Sequence, residues 1–252
     1  MQLIRFIALC TALAATNGHA LLIRADRDDA EYVEMATRYV SSVAIDVPGG
    51  GEGVLITDRW ILTSARVASA LDAMKPQPTI TVGGRATKVQ GVFVHPVWRP
   101  GASSSDLGLI YLARNVSASP TPLYRGNEEG GKTVVIVGHG DTGRIGDKAT
   151  RQDHKMRAGV NTVDRVGPRT LILTVKKGDD ASDLQGAFTA SESGGPAYYQ
   201  NESQELFVAG IASHSQDDTQ VYTRVSAFVE WIEETIDRAV KEELKNTFDR
   251  GG

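Results

Sequence analysis

From residue 40 to residue 225 the chain is broken into short runs of β-branched and other apolar residues, each closed by Gly, Pro, Asp or Asn. The first set covers 40–47, 54–56, 60–63, 79–82, 89–94 and 107–112. The second covers 133–137, 159–163, 170–175, 196–199, 206–212 and 221–225. Parallel strands need a long crossover, usually a helix, between each pair, and these gaps hold almost no helical pattern. The texture therefore predicts an all-β chain, an antiparallel sandwich or barrels. Residues 117–131, rich in Ser, Pro, Gly and Glu, read as the connection between the two sets.

Composition narrows the class. A chain of 252 residues with 41% apolar and 23% charged residues is an ordinary globular one. It holds no apolar run long enough to span a membrane as a helix. The formal net charge is −4, which argues against a general nucleic-acid or anionic-membrane binder. Residues 1–20 read as a secretory signal peptide: Arg5, then a mostly apolar stretch, then Gly18-His19-Ala20 as the cleavage site. The lone cysteine, Cys10, lies inside it, so the processed chain would hold together without disulfides. The five histidines, His19, His95, His139, His154 and His214, have no metal-ligand spacing, and no metal or organic cofactor is expected. Asn115-Val116-Ser117 and Asn201-Glu202-Ser203 are glycosylation sequons.

Two helices flank the β-rich region. Residues 28–38 carry Asp28 as a candidate cap, with Glu31 three residues on and Tyr32, Val33 and Ala36 on one side. Residues 226–246 repeat Phe228, Trp231, Ile232, Ile236, Ala239, Val240 and Leu244 at helical spacing. That stripe should dock on the second strand set, with the charged end from 241 projecting or fraying.

Ala190-Ser191-Glu192-Ser193-Gly194-Gly195-Pro196 is the most distinctive polar stretch. Such residues make a tight turn with free amides and present Ser193 at its tip. On turn chemistry alone it is either a plain turn or a presented nucleophile.

Four stretches together resemble the trypsin-like serine peptidases. Gly53-Val54-Leu55-Ile56-Thr57-Asp58-Arg59-Trp60-Ile61-Leu62-Thr63-Ser64-Ala65-Arg66 resembles the segment that carries the family's histidine. Asp106-Leu107-Gly108-Leu109-Ile110 is similar to the segment with its aspartate, and the Ser193 turn to Gly-Asp-Ser-Gly-Gly-Pro. Val208-Ala209-Gly210-Ile211-Ala212-Ser213, with residues 221–232, is similar to the last strands and final helix. Gly138-His139-Gly140 stands where the family usually has Gly-Trp-Gly. The resemblance covers residues 39–237. It implies two antiparallel six-stranded β-barrels with a cleft between them and a C-terminal α-helix. The expected division is 1–20 signal peptide, 21–38 N-terminal arm, 39–116 first barrel, 117–131 connection, 132–225 second barrel and 226–252 helix and tail.

The departures fall on the chemistry. The resemblance puts Arg66 at the histidine position, with Asp106 and Ser193 completing the triad. Arginine has no acceptor atom and stays charged, so it cannot act as the base. The oxyanion-hole positions are Ser191 and Ser193, the first usually a glycine. The specificity-pocket positions are Ala187, Ser213, Ser215 and Gln220; the side chains of Ser215 and Gln220 would narrow or fill the pocket. His214 takes a tryptophan position beside the cleft, and His95 sits at a structural turn. Glu192 replaces an aspartate that in the family pairs with a new amino terminus; signal removal would supply Leu21 instead. Asp106 should pair with Arg66, with the Ser213 hydroxyl as a second contact. The expected function is that of a secreted, non-catalytic homologue, a monomer acting as a binding or regulatory module with a protein or peptide ligand in the cleft. The alternative is an active endopeptidase or esterase with an atypical base.

Overall fold

The computed structural model describes residues 21–251 except 103, 148 and 149. The expected signal peptide, with Cys10, lies outside the described residues.

The chain enters through a short strand, β1 (Leu22–Ile23), and helix α1 (Asp29–Ala36). Asp28 caps α1 as its position predicts, accepting from the Ala30 amide at 3.0 Å. The first barrel follows: β2 (Ser42–Ala44), β3 (Glu52–Thr57), β4 (Trp60–Thr63), β5 (Thr79–Val82), β6 (Arg85–Val94) and β7 (Gly108–Leu112). These pair in the order β2-β3-β4-β7-β6-β5, an open ring whose end strands approach each other. Helix α2 (Ala65–Ala73) leaves β4 and covers one side, burying Val67, Ala68 and Leu71. Sequence texture gave no sign of it, because its apolar residues continue directly from the buried strand before it.

The second barrel contains β8 (Thr133–Arg144), β9 (Thr150–Val166), β10 (Thr170–Thr174), β12 (Pro196–Gln200), β13 (Leu206–Gln216) and β14 (Thr219–Arg224). Its order is β8-β12-β13-β14-β10-β9, and β9 pairs back with β8, so the ring closes. Between β10 and β12, β11 (Gly186–Ala187) pairs with β1, which in turn runs parallel to the end of β8. The N-terminal arm is thereby sewn into the second barrel. Helix α3 (Val229–Gly251) ends the chain, entered through a 3₁₀ turn at Val225–Phe228.

Both faces of β3 and β4 are buried, which explains their unbroken apolar runs. Leu55 and Ile61 point into the first barrel with Val43, Ile80 and Ile110. Val54, Ile56 and Leu62 point the other way, into a layer shared with Val137, Tyr198 and Ile211 of the second barrel. Phe228 and Ile232 of the C-terminal segment join that layer.

The charged end of α3 does not simply project. Glu243 is held by both prongs of Arg59 at 3.1 and 3.0 Å, and also by Tyr111 and Gln90. The helix is a strap from the second barrel to the first. At the N-terminal side, the fully buried Arg157 of β9 forks onto Asp29 of α1 and Asp153, with four bonds of 2.6–2.8 Å.

Candidate active site

Ser193 closes a 3₁₀ turn formed by Ala190–Glu192. Its amide donates back to the Ala190 carbonyl at 3.4 Å, and its carbonyl accepts from the Glu52 amide at 3.0 Å. Gly194 follows at φ 93°. A Cβ there would lie 2.1 Å from the Glu52 carbonyl oxygen, so only glycine lets the turn press against β3. Ser193 is 1% exposed, and its hydroxyl shares a 2.9 Å hydrogen bond with that of Ser64, the cap of α2. Neither the sequence pattern nor the resemblance singled out Ser64; the contact joins residues 129 positions apart.

Asp106 lies beside this pair, buried at the start of β7. Its Oδ1 accepts from the Arg66 backbone amide at 3.2 Å, and its Oδ2 from the Ser213 hydroxyl at 2.7 Å. Burial pushes its carboxyl above the usual range; Ser213, the amides of Arg66 and Ala65, and the charge of Arg66 pull the other way. The expected Ser213 contact is present. The expected ion pair is not. The Arg66 guanidinium turns from Asp106 and donates through Nη2 to the carbonyls of Gly50 at 2.9 Å and Ala190 at 3.3 Å. The physical reason is that the α2 amides and Ser213 already occupy both carboxylate oxygens, so Asp106 does not need the guanidinium. Burial lowers the Arg66 pKa, opposed by the more distant attraction of Asp106.

Ser191 sits inside the 3₁₀ turn, with its hydroxyl 3.1 Å from that of Thr189. Gly50, at φ 73°, packs against it so closely that a Cβ would come within 2.7 Å of the Ser191 Cβ. The Ser193 amide, the other oxyanion-hole position, is committed to Ala190. Of the pocket positions, Ala187 is buried on β11 and Ser213 is half-buried on β13. Gln220 crosses the space between β14 and the segment after β11: its Oε1 accepts from the Phe188 amide at 2.7 Å and its Nε2 donates to the Phe188 carbonyl at 3.1 Å. Its amide group is thereby committed to the Phe188 backbone. Ser215 is exposed and lies opposite Gln220 in the β13–β14 ladder. His214 is exposed, and His95 packs against Phe228 and Trp231 at centroid distances of 5.2 and 4.9 Å.

Behind the turn lies an acidic cluster that the sequence reading missed in part. Glu52 of β3 is buried and accepts both the backbone amide of His139 at 2.7 Å and its Nδ1 at 2.8 Å. Burial raises the Glu52 carboxyl, with His139 opposing. For His139, burial disfavours the imidazolium, but Glu52 outweighs it and the net shift is upward. Glu192 is buried next to this pair. Its Oε2 accepts from the Thr189 amide at 2.9 Å, while its Oε1 has no hydrogen-bond partner among the described residues. Burial pushes the Glu192 carboxyl well above the usual range, and the charge of Glu52 adds to the shift; Thr189 and the Leu21 amide pull it down. Leu21 is itself buried, so the chain does reach Glu192. Gly138 makes room for this carboxyl, since a Cβ there would lie 1.6 Å from Oε1.

Comparison with known proteins agrees with this architecture. Residues 33–232 match the trypsin family. Granzyme C of Mus musculus is 27% identical over 207 residues, covering 73% of this chain and 78% of that protein. Serine protease snk of Drosophila melanogaster is 27% identical over 222 residues, 75% of this chain and 49% of the relative. Mast cell protease 3 of Ovis aries is 26% identical over 200 residues, 73% of this chain and 77% of the relative. With two six-stranded barrels, a nucleophile-type turn at their junction and a match across most of its length, the chain belongs to the trypsin family.

Proposed function

We propose that the chain is an exported, non-catalytic member of the trypsin family that acts as a binding or regulatory module through its inter-barrel cleft. One observation carries this reading. Arg66, which the resemblance puts at the position of the family's base, has a guanidinium that donates to two backbone carbonyls and no atom that could accept the Ser193 proton. Loss of the base alone costs on the order of 10⁶ in turnover in a well-studied serine protease. Two further features support it. The Ser193 amide is engaged within its own turn, where it cannot stabilise an oxyanion. Gln220, which the resemblance puts at a specificity-pocket position, has its amide tied to the Phe188 backbone.

The ligand we assign to the cleft is a protein or peptide segment. Strand β13 pairs with β12 only as far as Ile211, and from His214 to Gln216 it pairs only with β14. That leaves a strand edge open beside Asp106, where an extended peptide can add. Export would follow from the signal-like residues 1–20, and cleavage after Ala20 would give Leu21 a free ammonium next to Glu192.

The test is reaction with a fluorophosphonate, read by intact mass, beside a Ser193→Ala control. Folding of both proteins is verified by thermal melts. The expected result is no adduct on either protein. An adduct on the wild type alone overturns the non-catalytic reading and favours a hydrolase with an unconventional base.

A further inference from the structure

Arg66 stands out electrostatically. It is half-buried, and among the described residues no carboxylate lies within ion-pair range of its guanidinium. Several other deeply placed charged side chains have counter-ions: Arg157 has Asp29 and Asp153, Glu129 has Arg224, and Glu52 has His139, whereas the acids Asp106 and Glu192 are held by amides and hydroxyls. The nearest acid, Asp106, has both oxygens engaged elsewhere. Two neutral carbonyls satisfy Arg66 Nη2, and its charge is offset only by the more distant Asp106. Hydrogen bonds from a guanidinium to a carboxylate are roughly twice as strong as bonds between neutral partners, and they form as a matched pair.

The location adds a consequence. Gly50 belongs to the first barrel's loop and Ala190 to the second barrel's turn, so Arg66 ties the two sides of the cleft together. The Ala190 carbonyl is also the acceptor of the Ser193 amide. A carboxylate that draws the guanidinium away removes one of the two donors that hold this carbonyl in place.

Given a non-catalytic cleft that binds peptide, on which this assignment rests, we propose that Arg66 is the anchor for a carboxylate of an acidic peptide, and that engaging it loosens the turn carrying Ser193. The open edge of β13 begins next to Ser213, whose hydroxyl bonds the same Asp106 carboxylate that accepts from the Arg66 backbone amide, so that edge starts one carboxylate away from Arg66.

The probe is a capped tetraglutamate peptide, with capped tetraglutamine as the neutral control, titrated into the full processed chain and followed by ¹H–¹⁵N NMR. The acidic peptide should give saturable shifts at the Arg66 Nε–H and the Ser193 amide, and faster hydrogen exchange at Ser193. Arg66→Gln keeps polar donors without the charge, and Arg66→Ala removes both; each should weaken binding by about tenfold or more, equivalent to loss of one good charge-assisted contact. Equal response to both peptides, unchanged binding by Arg66→Gln, or no saturable shift at millimolar peptide overturns the anchor. Binding that leaves Ser193 exchange unchanged overturns the release of the turn. Fluorophosphonate labelling reports separately on the non-catalytic reading, so the two failures are distinguishable.

Discussion

Glu192→Gln is the perturbation that most directly tests the electrostatics behind the turn. Glu192 is 1% exposed, and Glu52 is buried beside it. Burial first, then Glu52, raises its folded-state pKa well above the unfolded value of 4.5. The sign follows from linkage: a group whose folded pKa is raised contributes stability below the unfolded pKa and loses it as pH rises. The wild type therefore loses stability from this group as pH rises above 4.5, for as long as the folded carboxyl stays protonated. Glutamine occupies the same space and does not titrate. Urea unfolding at pH 5, 6 and 7 should therefore show the variant gaining on the wild type as pH rises, in a chain that extends before Leu21. In a chain that starts at Leu21 the free ammonium favours the carboxylate, and the gap should shrink. Parallel stability curves for wild type and variant in the extended chain would refute the claim that Glu192 is held protonated.

Two further predictions concern buried polar contacts. Arg66→Ala should cost less than about 2 kcal/mol in urea unfolding, because Asp106 keeps its backbone amide and Ser213 contacts; a loss above about 4 kcal/mol would mean that Asp106 depends on the guanidinium after all. Arg157→Ala should cost about 1.5–3 kcal/mol in urea unfolding by removing four charge-assisted bonds to Asp29 and Asp153, and should speed hydrogen exchange in α1. Arg157→Lys should restore little of this, since an ammonium cannot fork onto two carboxylates; full rescue by lysine would count against the geometry.

Part of the fold was legible because it is local. The cap at Asp28, the short β-rich runs and the 3.6-residue stripe of α3 each depend on neighbours within a few positions. The missed α2 is instructive. Its buried residues face the first barrel, but in sequence they merge with the apolar strand Trp60–Thr63 that precedes them. The long β9 was read only over 159–163, since its other half carries Asp, His, Lys and Arg on a strand that pairs with the end of β8. Among the candidate site residues, Ser213 bonds Asp106, Ser193 bonds Ser64, Gln220 bonds the Phe188 backbone, and Ser215 is exposed.

By itself the sequence determined an all-β chain in two sets of strands, with a serine turn and an aspartate segment in a fixed order. Those features follow from backbone preferences and residue periodicity, which act over short distances. Only the tertiary structure decided where the charged and polar side chains end. It paired Glu52 with His139 across 87 positions, Ser64 with Ser193 across 129, and sent Arg66 to the Gly50 and Ala190 carbonyls instead of to Asp106. A long side chain chooses among partners that closure of the two barrels brings within reach, and that choice depends on which acceptors are already satisfied.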